Sequence, residues 1–248
     1  MPALALAAAL VPASAAHAAP EAAIAATTAT RACAGGGDGC STTIAVIPAG
    51  AQLQVICTWE GDYYVEDLAN RALEGFVPTG DVRNAPGVAS CHTAAHPAIW
   101  AAANALGDVG KPIDPFYCLT FVVNAWSGTG VAAIPGSADP VTWWPAYQGK
   151  FGWAWDTSGP RFATPPRGAL VFWYGTNLYP QYDSEDGHVA ISLGNGWVVS
   201  TEQGSSGPDV HLVTIATVTK QADGSGHGPG SGTEMGWVMP IPGYQIQQ

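Results

Sequence analysis

The placement of the five cysteines constrains this chain more than any other feature. Cys33, Cys40, Cys57 and Cys91 lie in the first hundred residues, and Cys118 stands apart from them. An even set can cross-link in an oxidising compartment, whereas a leftover thiol there needs a reason to persist. Four cysteines allow three pairings; the preferred one joins Cys33 to Cys40 and Cys57 to Cys91. No CxxC or CxxH spacing occurs, so no structural zinc site is expected.

The start of the chain agrees with export. Met1 to Val11 is an apolar run too short to span a bilayer. Small residues follow, and Ala16-His17-Ala18 fits a signal-peptidase site, although no Lys or Arg precedes Arg31. Residues 1–18 are therefore read as a signal peptide and 19–31, mostly Ala and Thr, as a linker. No later stretch reaches eighteen uninterrupted apolar residues, so the mature protein is expected to be secreted, soluble and without a membrane span. It is read as a monomer. With 8 basic against 19 acidic residues and a net charge of -11, the chain lacks the clustered cations that nucleic-acid binding requires. Only 11% of its residues are charged, and 31 Gly, 20 Pro and 10 Trp favour a β-rich, loop-rich fold over a helical bundle.

From residue 32 to 91 the pattern is one of short strands: Thr43 to Pro48, Ala51 to Trp59, Tyr63 to Leu68 and Gly75 to Val82. In the second, Leu53, Val55 and Cys57 alternate with Gln52, Gln54 and Ile56, the period-two signature of a half-buried strand. Several short strands in so few residues suggest a small barrel. Asn84 to Pro97 reads as a linker. His92 and His96 in it would form a metal pair on a helix, but Pro97 pushes His96 out of helical geometry. Ala98 to Leu106 is a helix candidate stopped by Gly107. A second helix should start near Asp114-Pro115, with Asp as cap and Pro at the first position. Phe121, Val122 and Ala125 then follow Cys118 as one apolar stripe. A loop rich in Pro, Gly and Trp runs from Gly128 to Pro166. Strands are expected at Gly168 to Trp173, His188 to Leu193, Gly196 to Thr201, Val210 to Val218 and Gly236 to Met239. Helices followed by antiparallel strands indicate an α+β domain over 92–248.

Two residues in that second part can do chemistry together. Cys118 falls in the first turn of its helix, where backbone N–H groups and the helix dipole stabilise a thiolate. The same N–H groups can hold an oxyanion. In isolation, Cys118 reads equally well as a small buried hydrophobe. His188 opens the run Gly187-His188-Val189-Ala190-Ile191-Ser192-Leu193-Gly194-Asn195-Gly196, in which Asn195-Gly196 signals a hairpin turn. An imidazole at a strand start can take the thiol proton and return it to a leaving amine.

These stretches resemble a known family. Tyr117-Cys118-Leu119-Thr120-Phe121-Val122 is similar to the nucleophile motif of NlpC/P60 peptidases. Arg167-Gly168-Ala169-Leu170-Val171-Phe172-Trp173 resembles their Gly-Asp-Leu-Val-Phe-Phe strand, and the run from Gly187 to Gly196 resembles their histidine strand. The order and spacing agree from roughly Trp100 to Thr201. The resemblance implies a papain-like fold, no metal or organic cofactor, and hydrolysis of amide bonds in peptidoglycan stem peptides, with Cys118 as nucleophile and His188 as base. Glu74-Gly75-Phe76-Val77-Pro78-Thr79-Gly80 resembles part of a bacterial SH3-like wall module, a common companion of that family. Ala169 stands where the family has an acidic residue, and Leu119 where it has Ser.

The residue that orients the imidazole is open. The family position corresponds to Ser200, whereas a plain two-residue turn at Asn195-Gly196 puts Gln203 opposite His188, and a one-residue shift chooses Thr201. Tyr117, Trp143 and Trp144 are candidates for substrate contact, with Trp153 and Trp155 as further cleft aromatics. Asp183, Glu185 and Asp186 read as a solvated loop, and His211 and His227 as incidental. A CHAP-type amidase and a catalytically silent wall-binding protein are the alternatives to a peptidoglycan endopeptidase.

Overall fold

The computed structural model describes residues 24–37, 40, 42–71, 73–83, 85, 87–113, 117–131, 165–173, 187–201, 209–223 and 234–241. Within them the chain is α+β, with two antiparallel sheets. The leader expected over 1–18 lies outside the described residues.

The first sheet holds β1 (Ile24–Ala25), β2 (Thr30–Cys33), β3 (Thr43–Ile47), β4 (Gln52–Trp59), β5 (Asp62–Asp67) and β6 (Glu74–Pro78) in the order β1-β4-β5-β6-β2-β3. Alternation decides which face of β4 is inward, since Leu53, Val55 and Cys57 are buried while Gln52 and Gln54 are exposed. Glu60 and Gly61 close the β4–β5 hairpin with φ of 50° and 92°, the conformation of a type I′ turn. Ile47, Leu53, Val55, Val65 and Val77 form the core of this sheet. A bridge between Ala26 and Val82, with Thr27 N–H donating to the Asp81 carbonyl, joins the end of β1 to the turn after β6. Both preferred disulfides are present, Cys33–Cys40 and Cys57–Cys91.

The second sheet holds β7 (Leu170–Trp173), β8 (His188–Gly194), β9 (Trp197–Ser200), β10 (His211–Thr214) and β11 (Glu234–Val238) in the order β10-β9-β8-β7-β11. Helices α1 (Pro97–Leu106) and α2 (Cys118–Trp126) pack on each other and on β8. Every residue of β8 is buried, as expected of a strand covered on both faces. Phe121, Val122 and Ala125 form the inward stripe of α2, joined by Leu119 and Trp126. Pro97 occupies the first turn of α1, and His96 before it takes φ -128°, ψ 53°, outside helical geometry.

Four expectations differ from what the chain does. The stretch read as a linker over 19–31 contributes β1 and the start of β2, and Ala26 and Thr30 are buried. Strands this short show no periodicity, and β1 exists because β4 offers it an edge. The strand expected over Val210 to Val218 is β10 followed by helix α3 (Ile215–Asp223). The Thr214 hydroxyl accepts the Thr217 N–H as an N-terminal cap, and that signal outweighs the β-branched composition. The strand expected over Gly75 to Val82 stops at Pro78, where a 3-10 turn over Thr79–Asp81 follows. Finally, α2 opens at Cys118 rather than near Asp114-Pro115, which lie outside the described residues.

The disulfides close loops of unequal size, with sequence separations of 7 and 34. Loop entropy then assigns about 2 kcal/mol to Cys33–Cys40 and about 4 kcal/mol to Cys57–Cys91. Denaturant titration should find the Cys57→Ala/Cys91→Ala double variant clearly less stable than Cys33→Ala/Cys40→Ala; the reverse order would contradict this ranking.

Candidate active site

The site is built on the β8–β9 hairpin. Asn195 and Gly196 take φ of 51° and 77°, so the turn is the tight two-residue type that pairs Gly194 with Trp197. One residue later the ladder slips, pairing Ser192 with Val198 and Ile191 with Val199. Leu193 is thus an extra residue, a β-bulge. The Ser192 hydroxyl fixes it, accepting the Gly194 N–H at 3.0 Å and donating to the Pro165 carbonyl at 2.8 Å. Because side chains alternate along a strand, this slip puts Ser200 on the same face as His188. The two meet: His188 Nε2 and Ser200 Oγ share a hydrogen bond of 2.8 Å, both side chains fully buried. Across the other ladder His188 pairs with Trp173, whose ring lies 5.6 Å from the imidazole.

Cys118 opens α2, takes no part in either disulfide and is buried. Tyr117 before it, at φ -97° and ψ 17°, makes no side-chain capping hydrogen bond to the helix start. The backbone N–H groups of the first turn, including those of Leu119 and Thr120, have no preceding intrahelical carbonyl to meet. A thiolate or oxyanion there lies at the positive end of the helix dipole. Since α2 packs on β8, the helix bearing the thiol and the strand bearing the imidazole are direct neighbours.

Tyr117 is 48% exposed beside Cys118, as a substrate contact requires. Thr201 is buried, and its hydroxyl has no hydrogen-bond partner among the described residues. Of the two described candidates for orienting His188, Ser200 therefore makes the bond. Gln203, Trp143, Trp144, Trp153, Trp155, Asp183, Glu185, Asp186 and His227 lie outside the described residues. His92 lies between Trp59 and Trp100, with ring centroids at 4.6 and 5.9 Å, so packing accounts for it. Among the described residues no three His, Cys, Asp or Glu side chains converge as a metal site would need, and no helix is long and apolar enough to cross a membrane.

Sequence reasoning missed two features beside this hairpin. His211 reads as incidental in the sequence, yet it pairs directly with Ser200 across β9–β10. Its Nε2 is buried with no hydrogen-bond partner among the described residues. The second is a polar cluster between the sheets. Tyr64 donates its hydroxyl hydrogen to the Glu74 carboxylate, and Arg167 donates from Nε to the Tyr64 oxygen at 3.1 Å and from Nη1 to the Ala34 carbonyl at 3.0 Å. Burial pushes the Glu74 carboxyl up to about 7, against the pull of Arg167 and the Tyr64 hydrogen bond. Burial, then the nearby Glu74 charge, raises the Tyr64 hydroxyl well above its usual value. No local sequence motif marks either feature: the first depends on the register of β10 against β9, and the second joins Arg167 to Tyr64, 103 residues apart in the chain.

No known family's sequence model matches the chain, and no curated protein matches it. Solved structures similar to it include NlpC2 from Trichomonas vaginalis, with 11% identity, 87% of this chain and 71% of that chain covered, and a TM-score of 0.33. NlpC1 from the same organism shows 11% identity, coverage of 88% and 70%, and a TM-score of 0.34. An NlpC/P60 family protein from Bacillus cereus ATCC 10987 shows 14% identity, coverage of 89% and 63%, and a TM-score of 0.37. Likenesses this distant carry no weight for the site, which rests on its own geometry.

The hydroxyls of Ser200 and Thr201 make a matched pair for mutation. Ser200→Ala strips the hydroxyl partner from a buried imidazole nitrogen and should cost about 1–3 kcal/mol. Thr201→Val removes a hydroxyl that bonds nothing described and should be close to neutral. Equal losses in urea titrations would contradict the assignment.

Proposed function

We propose that this chain is a secreted peptidoglycan hydrolase that cleaves amide bonds of stem peptides through Cys118 and His188. The observation that carries the reading is the His188–Ser200 hydrogen bond, made on a strand against which the Cys118 helix packs. With Nε2–H donating to Ser200, Nδ1 is the nitrogen that takes the thiol proton. The thiolate attacks the scissile carbonyl, and N–H groups at the start of α2 hold the oxyanion. The imidazolium protonates the departing amine as the C–N bond breaks, leaving a thioester. A water molecule then gives its proton to His188 and attacks the thioester, releasing the acid and restoring the thiol. Every group the cycle uses belongs to the chain or to water, so no cofactor is required.

The two disulfides tied to the first sheet support a place outside the cell, since such bonds persist where thiols are not kept reduced. In this reading residues 32–91 form an SH3-like module that presents wall glycan or peptide to the peptidase domain over 92–248. The substrates are peptidoglycan and its muropeptides, with Tyr117 beside the nucleophile in contact with them.

Incubating the purified protein with muropeptides and weighing the products tests the reading. Wild type should release stem-peptide fragments and Cys118→Ala none. Ser200→Ala should lower kcat by at least about tenfold with KM little changed, and by no more than the roughly 10²–10⁴ that the positioned base itself contributes. Equal product from wild type and Cys118→Ala would remove Cys118 from the mechanism. A cut between glycan and the first amino acid of the stem would make the enzyme an amidase instead.

A further inference from the structure

The β8–β9 hairpin that carries His188 and Ser200 is gripped by residues of the other sheet, and the grip converges on one carboxylate. Glu74 opens β6 and meets the hairpin turn twice. Its backbone carbonyl accepts the Asn195 side-chain amide at 3.1 Å. Its carboxylate packs against Gly194, where any Cβ would collide with it and where φ is +81°. The same carboxylate accepts the Tyr64 hydroxyl, and Tyr64 in turn accepts Arg167 Nε. The Arg167 guanidinium stacks over the Tyr64 and Phe76 rings, 4.8 and 5.4 Å from their centroids. Arg167 is next to Gly168, whose N–H donates to the Ser192 carbonyl at 2.8 Å, and the Ser192 N–H returns a bond to Ala169. Ser192 sets the bulge that aligns Ser200 with His188. An unbroken chain of contacts thus runs from the first sheet to both ends of the strand segment below His188.

We propose that Glu74, held by Tyr64 and Arg167, is a positioning residue through which the first sheet fixes the hairpin bearing His188 and Ser200. The consequence for catalysis rests on the hydrolase reading above, but the grip on the hairpin does not. The groups facing the Glu74 carboxylate are Arg167 beside β7, Tyr64 and Glu66 on β5, and the turn at Gly194 and Asn195, which brings no titratable side chain. The charge of the cluster changes when Glu74 loses its proton. The sign follows from the raised value: the folded protein holds this proton more tightly than the unfolded chain. The stabilisation is complete below the ordinary carboxylate range and is lost as pH rises towards and through about 7. The hairpin should therefore be held best below about pH 4.5 and loosen progressively up to about pH 7, with little further change above it.

Two measurements on the full chain decide this. Hydrogen exchange, expressed as protection factors, should show the backbone amides of residues 188–200 losing protection between about pH 4.5 and about pH 7 in wild type. Glu74→Gln keeps an acceptor for Tyr64 but cannot ionise, so its protection should stay flat over that range. In parallel, Glu74→Ala should lower kcat by about tenfold or more at either pH with KM within about twofold, and Glu74→Gln should restore most of that loss. If Glu74→Ala fails to fold, the pH dependence of exchange in Glu74→Gln decides alone. The same decline in wild type and Glu74→Gln, or none in either, would overturn the proposal. If wild type proves inactive on every muropeptide while the exchange behaves as stated, the hydrolase reading fails and the positioning role stands.

Discussion

Between Ser192 and Gly194 the β8–β9 ladder gains one residue, and the rest of the site depends on that extra residue. Without it, a two-residue turn would send the Ser200 side chain to the opposite face from His188. The bulge costs a ladder position and needs its loose polar groups satisfied. Ser192 meets that need by bonding both within the bulge and to the Pro165 carbonyl. Small polar Ser192 is buried between Ile191 and Leu193 for this reason, and replacing it with a larger apolar residue would disturb register before it disturbed packing.

How much of this the sequence disclosed varies with the range of the interaction responsible. Local signals read true: the alternation in β4, the stripe of Phe121, Val122 and Ala125, the Asn195-Gly196 turn and the helix expected over Ala98 to Leu106, which the structure begins one residue earlier. The cysteine pairing was a preference among the three that four cysteines allow, and the structure forms that one. Ser200 was legible only as one of three candidates, since the bulge that selects it depends on Pro165, a residue distant in the chain. Val210 to Val218 misled because β-branched residues suit strands, while the Thr214 cap that turns Ile215 onwards into a helix is a single hydroxyl. Glu74 and Arg167 sat inside recognised stretches, yet nothing in either stretch announces that they converge.

Placing Arg167 between the sheets is energetically demanding. A buried guanidinium needs hydrogen bonds and charge compensation. Here it has two bonds to the first sheet, two aromatic faces and a nearby carboxyl whose own burial opposes ionisation. Such a cluster adds less stability than apolar residues of equal volume would, but it fixes geometry, because each donor has one direction in which to point.

The contacts between the sheets are not confined to that cluster. Ile99 of α1 shares a core with Cys57, Tyr64, Phe76 and Cys91, and Gly35 approaches Leu106 so closely that a Cβ would collide with it. Cys91, tied to Cys57, delivers the chain into α1 only a few residues later. A covalent tie, a mixed apolar core and a polar clamp therefore act on one interface. Units joined by a bare linker are expected to move relative to each other. These restraints of different chemistry oppose that motion: the clamp leads to the β8–β9 hairpin, and the tie and the apolar core lead to α1, which packs on α2 and β8. The first sheet is thus better understood as part of the frame of the site than as a separate attachment to it.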